Sequence, residues 1–358
     1  MTSKLDALRA RFESSEIDGI LIGSDENRRY VSGFSGTAGN LIITSDAAVL
    51  ATDFRYIEQA GQQAPDFRVL RVAGGGSDWL TNLLKELGVS RLGFESQHMT
   101  VATHERLSKA FAEAGNGSGV ELVPTAGLIE ELRSVKDEAE MALLTRAIEI
   151  SDRAFEEVSR ILKDGMTERE VAWLLERTMR ELGADSVSFD TIVAAGPNAA
   201  LPHHRADDTP LRDGQPLIID MGARYEGYCS DLSRTLSIGH EDDTFREVYT
   251  TVLRAQQTAI DGVRSGMTAG EADGLARAVI EEAGYGDKFG HSLGHGVGLE
   301  IHERPGVGPN SPVVLEDGMP FTIEPGIYIS GWGGVRIEDI VVLEDGKARV
   351  ISNAPKID

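Results

Sequence analysis

Two stretches in the second half of the chain share a pattern that few folds can accommodate. In each, two β-rich runs flank a short turn containing glycine, and each run carries a carboxylate: PLIIDMGARYEGYCSDLSRTLSI at 216–238 and PFTIEPGIYISGWGGVRIEDIVVL at 320–343. Such runs around a turn predict β-hairpins. Centring the first turn between Tyr225 and Glu226 makes Asp220 and Asp231 cross-strand partners. Glu324 and Glu338 stand equidistant from Gly331, with Pro325 marking a bulge that would disturb the register. Like charges opposed at about 5 Å destabilise a sheet unless something positive lies between them. One such hairpin alone reads as a solvated acidic face. Its recurrence in the same half of the chain reverses that reading.

Between the hairpins lies HSLGHGVGLEIHE, 291–303, with three histidines and three glycines in thirteen residues. Four carboxylates with imidazole form a hard, oxygen-rich ligand set that suits Mn²⁺, Co²⁺ or Fe²⁺ and can hold Zn²⁺. The charge suffices for two divalent ions bridged by a hydroxide. One imidazole completes a ligand set, while others polarise a substrate oxygen or shuttle protons. His302 alone would read as a hydrogen-bonded core residue, but three histidines within twelve positions do not. Glycines at 294, 296 and 298 let backbone and substrate approach where a β-carbon would block them.

At 358 residues the chain suits two domains. Residues 1–130 alternate helix, strand and turn signals, as in DGILIGS, NLIITSDAAVLATD and WLTNLLKELG, and predict an α/β domain. From about residue 135 a long amphipathic helix stopping at Gly165 is expected, then a second helix capped by Thr167. Another helix pair at 243–264 and 269–284 and a strand-rich end make residues 135–358 an α+β domain with antiparallel pairing. The net charge of −23, from 58 acidic against 35 basic side chains, excludes phosphate-backbone binding as a main activity. No signal-peptide core or membrane-spanning run is present, and the lone Cys229 fits a reducing compartment, so a cytoplasmic location is expected.

LPHH, IIDMGARYEGYCSDLSRT, HSLGHGVGLEIHERPG, FTIEPGIYI and GGVRIEDIVVL occur in that order. Together they resemble the Xaa-Pro peptidases of the pita-bread metallopeptidase family, aminopeptidase P and prolidase. The resemblance implies a pita-bread catalytic domain over 135–358 and an N-terminal creatinase/prolidase-like domain over 1–130. It further implies that Asp220, Asp231, His295, Glu324 and Glu338 ligate two divalent ions, most readily Mn²⁺, with Asp231 and Glu338 bridging. Glu324 would also serve as general base. His203 and His302 would bind the scissile carbonyl and its tetrahedral intermediate, His291 and Arg336 would support substrate and metal, and Tyr328 would sit beside the attacking oxygen. The implied substrate is a peptide with proline at its second position. VSGFSGTAGNLIITSDAAVLATDFRY is similar to N-terminal domains that commonly mediate oligomerisation, implying a homodimer or larger.

Two departures stand out. His204 replaces the glycine of the PHG found in many relatives, and Gly306 stands where archaeal-type prolidases carry an arginine for the dipeptide carboxylate, with Arg304 two residues earlier. The second departure tilts the expectation towards aminopeptidase P acting on longer peptides, the alternatives being prolidase or a broader aminopeptidase. Methionine aminopeptidases fit the N-terminal domain and HERPG poorly, and the metal-free creatine-hydrolysing relatives have no use for five ligand-type residues. The reading from another class is a catalytically degenerate peptide-binding module, which need not keep ligands, base and imidazoles together.

Overall fold

The computed structural model describes residues 3–74, 76–114 and 119–357. The chain divides between Arg133 and Ser134 into two compact units. The first is built on a six-stranded sheet ordered Arg68–Arg71, Ala48–Thr52, Asn40–Thr44, Gly19–Ile22, Arg91–Glu95, Glu121–Thr125. The central strand Gly19–Ile22 pairs antiparallel with Asn40–Thr44 and parallel with Arg91–Glu95, so the sheet is mixed. Leu21, Ile42 and Val49 pack with Leu80, Leu84 and Phe111 of the helices Asp78–Leu87 and Val101–Ala114.

In the second unit a helix pair followed by an acid-bearing hairpin occurs twice, and every strand pair is antiparallel. Helices Glu138–Ser159 and Glu168–Glu181 each begin with a full capping box, Asp137 with Glu140 and Thr167 with Glu170. The first helix stops at Ser159 rather than Gly165. Gly165, at φ +87°, instead shapes the turn beyond, where its N–H donates to Leu211 O. The later pair spans Asp243–Gly262 and Ala269–Glu282.

Side-chain alternation along the strands places the carboxylates. Leu217 and Ile219 pack with Phe155, Val171 and Leu175 of the first helix pair, so Ile218 and Asp220 face the other way. Phe321 and Ile323 likewise pack with Val248, Val252 and Ile280 of the second pair, leaving Thr322 and Glu324 on the opposite face. Helices thus cover one face of each sheet, and the acids stand on the other.

The first hairpin differs from the expected register. Glu226 (φ +42°) and Gly227 (φ +80°) form the two-residue turn, closed by the pair Tyr225 and Tyr228. Both positive angles belong to the turn type whose twist matches antiparallel strands. The centre therefore lies one residue later, Asp220 opposes Ser233, and Asp231 lies two residues further along. In the second hairpin the symmetry about Gly331 holds: Gly326 pairs with Arg336 and Ile323 with Asp339. Pro325 interrupts the ladder without shifting it. At the gap Glu324 N–H turns to Leu293 O at 2.8 Å and Glu338 N–H to Ser233 O at 3.1 Å, which ties the hairpin to both neighbouring segments.

Candidate metal centre

All ten residues singled out in the sequence line one cavity of about 880 Å³: His203, Asp220, Asp231, His291, His295, His302, Glu324, Tyr328, Arg336 and Glu338. Ligand atoms of Asp231, His295 and Glu338 lie within 4.8 Å of one another. His295 Nε2 is 3.3 Å from Glu324 Oε1 and 3.5 Å from Asp231 Oδ2. Asp220 joins them from the neighbouring strand, with Oδ2 accepting from Arg336 Nη2 at 2.6 Å.

Three observations show that this donor set fits divalent cations. Asp220 Oδ1 and Glu338 Oε1 are buried with no hydrogen-bond partner among the described residues, an expensive arrangement unless a cation takes their lone pairs. His295 Nδ1 lies 3.1 Å from Gly296 O, and a carbonyl only accepts, so Nδ1 carries the hydrogen. The Nε2 lone pair then points at two carboxylates, a repulsive arrangement until a proton or metal ion occupies the space; a ring held by a backbone carbonyl is also the usual support of a metal-binding histidine. Burial, and then the charges of neighbouring carboxylates, push Asp231 and Glu338 well above the usual carboxylate range, and burial also raises Asp220.

Glu324 behaves differently. Burial pushes its carboxyl up, but the hydrogen bond and charge of His295, with His291 and Arg336, outweigh burial and hold it below the ordinary value. For His295 burial acts downward, and Glu324 outweighs it, so the imidazole is raised. Thr322 Oγ1 accepts from His295 N–H at 3.0 Å and donates to Glu324 Oε1 at 3.1 Å, fixing both.

A second chain of bonds runs beside the carboxylates. Arg336 donates to Ser233 Oγ at 2.8 Å, Tyr328 Oη at 3.0 Å and Asp220. Tyr328 Oη lies 2.9 Å from His291 Nε2, and His291 Nδ1 is 2.8 Å from Ser292 O. Because Nδ1 must donate to that carbonyl, the tyrosine donates to Nε2 of the neutral ring. Burial lowers His291 and raises Tyr328, which keeps both neutral. Tyr328 is thus the link between Arg336 and His291. The His302 ring stands edge-on to His295 at 4.3 Å between centroids, and burial followed by the His295 charge lowers it. His203 and His302 are exposed to the cavity.

Sequence reasoning passed over Ser233, Thr235 and Thr322. Thr235 Oγ1 accepts from Arg336 N–H and donates to Arg336 O, at 3.0 and 2.9 Å. Their signal was available: each shares strand parity with a carboxylate and lies within two to four residues of it.

The family model for metallopeptidase family M24 matches residues 142–345, and that for the Creatinase/Prolidase N-terminal domain matches residues 4–135. The chain is 37% identical over 353 residues to the Xaa-Pro dipeptidase of Pyrococcus horikoshii, covering 98% of this chain and 97% of that one. Among solved structures, an Xaa-Pro dipeptidase from Bacillus anthracis superposes with a TM-score of 0.94 at 44% identity, covering 99% of this chain and 98% of that one. An X-Pro aminopeptidase from Thermotoga maritima superposes with a TM-score of 0.89 at 38% identity, covering 98% of each chain.

Proposed function

The chain belongs to metallopeptidase family M24, and on that premise we propose that it cleaves the bond between an N-terminal residue and a following proline, using two divalent ions held by Asp220, Asp231, His295, Glu324 and Glu338. The observation that carries the proposal is the gathering of four carboxylates and His295 in one cavity, with the His295 lone pair directed at Glu324 and Asp231 and with buried oxygens of Asp220 and Glu338 unpartnered among the described residues. Bound there, such ions, most readily Mn²⁺, lower the pKa of water and polarise a carbonyl.

The protein's own groups supply the rest. Glu324, 3.3 Å from His295 Nε2 and fixed by the Thr322 hydroxyl, is the carboxylate placed to accept the proton of the attacking water. It then returns that proton to the proline nitrogen, a tertiary amide nitrogen that cannot leave as an anion. His302 and His203, exposed on the cavity wall, take the carbonyl oxygen as negative charge develops on it. Arg336 and His291 hold Tyr328 from opposite sides and keep its hydroxyl oriented beside the reacting centre.

On substrate length, the relatives named Xaa-Pro dipeptidase support dipeptides over the aminopeptidase P preference suggested by the sequence. One observation favours the longer substrate: a β-carbon built on Gly306, at the cavity wall, meets nothing within 4 Å, so that wall is open where a carboxylate clamp would close it. Kinetics on Ala-Pro, Ala-Pro-Ala and Ala-Ala-Ala with Mn²⁺ test the proposal. Turnover of the proline peptides and none of Ala-Ala-Ala is expected, and the ratio of the first two fixes the length preference. Equal rates on all three would refute the proline requirement, and no turnover would favour a binding module. Assembly as a homodimer or larger is part of the same proposal and is tested by light scattering. Among the described residues no helix is long and apolar enough to cross a membrane.

A further inference from the structure

His203 and His204 sit in the turn that follows the short helical segment Gly196–Ala200. Among the described residues the His203 ring makes no hydrogen bond, so its aim depends on the backbone of its neighbours. That backbone is tied to Glu168, the first residue of the helix Glu168–Glu181, whose side chain is wholly buried. Oε1 accepts from Ala195 N–H at 2.8 Å and Asn198 Nδ2 at 2.9 Å, and Oε2 from His204 Nε2 at 2.7 Å and Asp207 N–H at 3.1 Å. Ala195, Asn198, His204 and Asp207 bracket the whole turn, and His204 is the one donor adjacent to His203. The carboxylate also lies at a helix N-terminus, where the unpaired N–H groups favour negative charge.

Glu168, His204 and Asp207 are close enough together to resemble a cation site. The two Glu168 oxygens, however, already accept four hydrogen bonds, and 2.7 Å between Nε2 and Oε2 is a direct hydrogen bond, too short for two ligands sharing an ion. Nε2 must donate to the carboxylate oxygen, and Nδ1 is left on the other edge of the ring.

We propose that His204 is a positioning residue: its bond to Glu168 fixes the turn and so holds His203 towards the metal centre. The inference rests on the reading of His203 as a group that contacts the scissile carbonyl. A glycine at 204 makes no such bond. A catalytic group displaced by about 1 Å loses on the order of a hundredfold in rate, and a loosened turn is expected to lose part of that.

The test is a double-mutant cycle on the Mn²⁺-loaded protein, using the better of Ala-Pro and Ala-Pro-Ala, with thermal unfolding as the folding control. His204→Ala is expected to lower kcat about tenfold with little change in KM, and His204→Gln, which can still donate to Glu168, to recover most of the rate. In a His203→Ala background, His204→Ala should cost nothing further. Equal losses in both backgrounds, failure of the glutamine to recover the rate, or no loss from His204→Ala would overturn the positioning role. A fully active His203→Ala would instead defeat the reading of His203, and the inference with it. Should the alanine variant fail to fold, His204→Asn, polar but too short to reach Glu168, carries the same comparison.

Discussion

Gly294 offers a sharp test of why the histidine segment is so bare. It precedes His295 in the strand Gly294–Gly296, which runs between Glu303–Val307 and Pro320–Ile323. A β-carbon at Gly294 would lie 1.9 Å from Thr322 O and 2.7 Å from Thr322 Oγ1. Reaching even the 3.0 Å below which such contacts are essentially never seen requires a shift of about 1.1 Å. That shift acts on Thr322, whose hydroxyl fixes His295 and Glu324 together. Misplacement of about 1 Å costs on the order of a hundredfold in rate, so Gly294→Ala is expected to lower kcat/KM by about that factor and to weaken metal retention. Gly290→Ala is the control: it lies in the approach to the same segment, and its β-carbon meets nothing within 4 Å. The assay is kcat/KM on a proline peptide together with metal content after dialysis. Full metal content and wild-type rate in Gly294→Ala would refute the argument that close backbone approach aligns the ligands.

Other expectations follow from single residues. Glu324→Gln should abolish turnover while leaving the fold intact by circular dichroism; a rate above a few per cent of wild type would remove Glu324 as the proton carrier. His302→Ala should act mainly on kcat, because it removes a donor to the developing oxyanion, and an effect confined to KM would count against that role. Burial pushes Asp152 from 3.8 up to about 6, against the N–H groups of Asn353 and Ala354 that it accepts from. The folded state therefore keeps a proton that the unfolded chain releases, so this contribution is full below about pH 4 and is lost as pH rises through about 6. It amounts to about 3 kcal/mol. Denaturant unfolding at pH 4.5 and 7 should show about 2 kcal/mol of that loss in wild type and none of it in Asp152→Asn, and equal slopes for the two proteins would contradict it.

The acid-bearing hairpins were legible because strand alternation and turn glycines are local signals. Phe321 and Ile323 against Thr322 and Glu324 announce two faces before any packing is known. The first hairpin was misregistered by one turn position because its true turn needs Glu226 in a left-handed conformation, which the sequence YEGY does not announce. In the first unit the strands Arg68–Arg71 and Glu121–Thr125 lie at the sheet edges, half exposed, and carry no clear alternation. Glu168 was illegible for another reason. Within TERE it reads as an ordinary first-turn acid, while its partners arrive from 27 to 39 residues away.

Anomalous diffraction at the manganese edge from crystals grown with Mn²⁺ tests the central claim most directly. Two peaks about 3.5–4 Å apart are expected among the carboxylates of Asp220, Asp231, Glu324 and Glu338, with His295 Nε2 directed at one of them. No peak in that cavity, or manganese bound only at other acidic residues, would contradict the account.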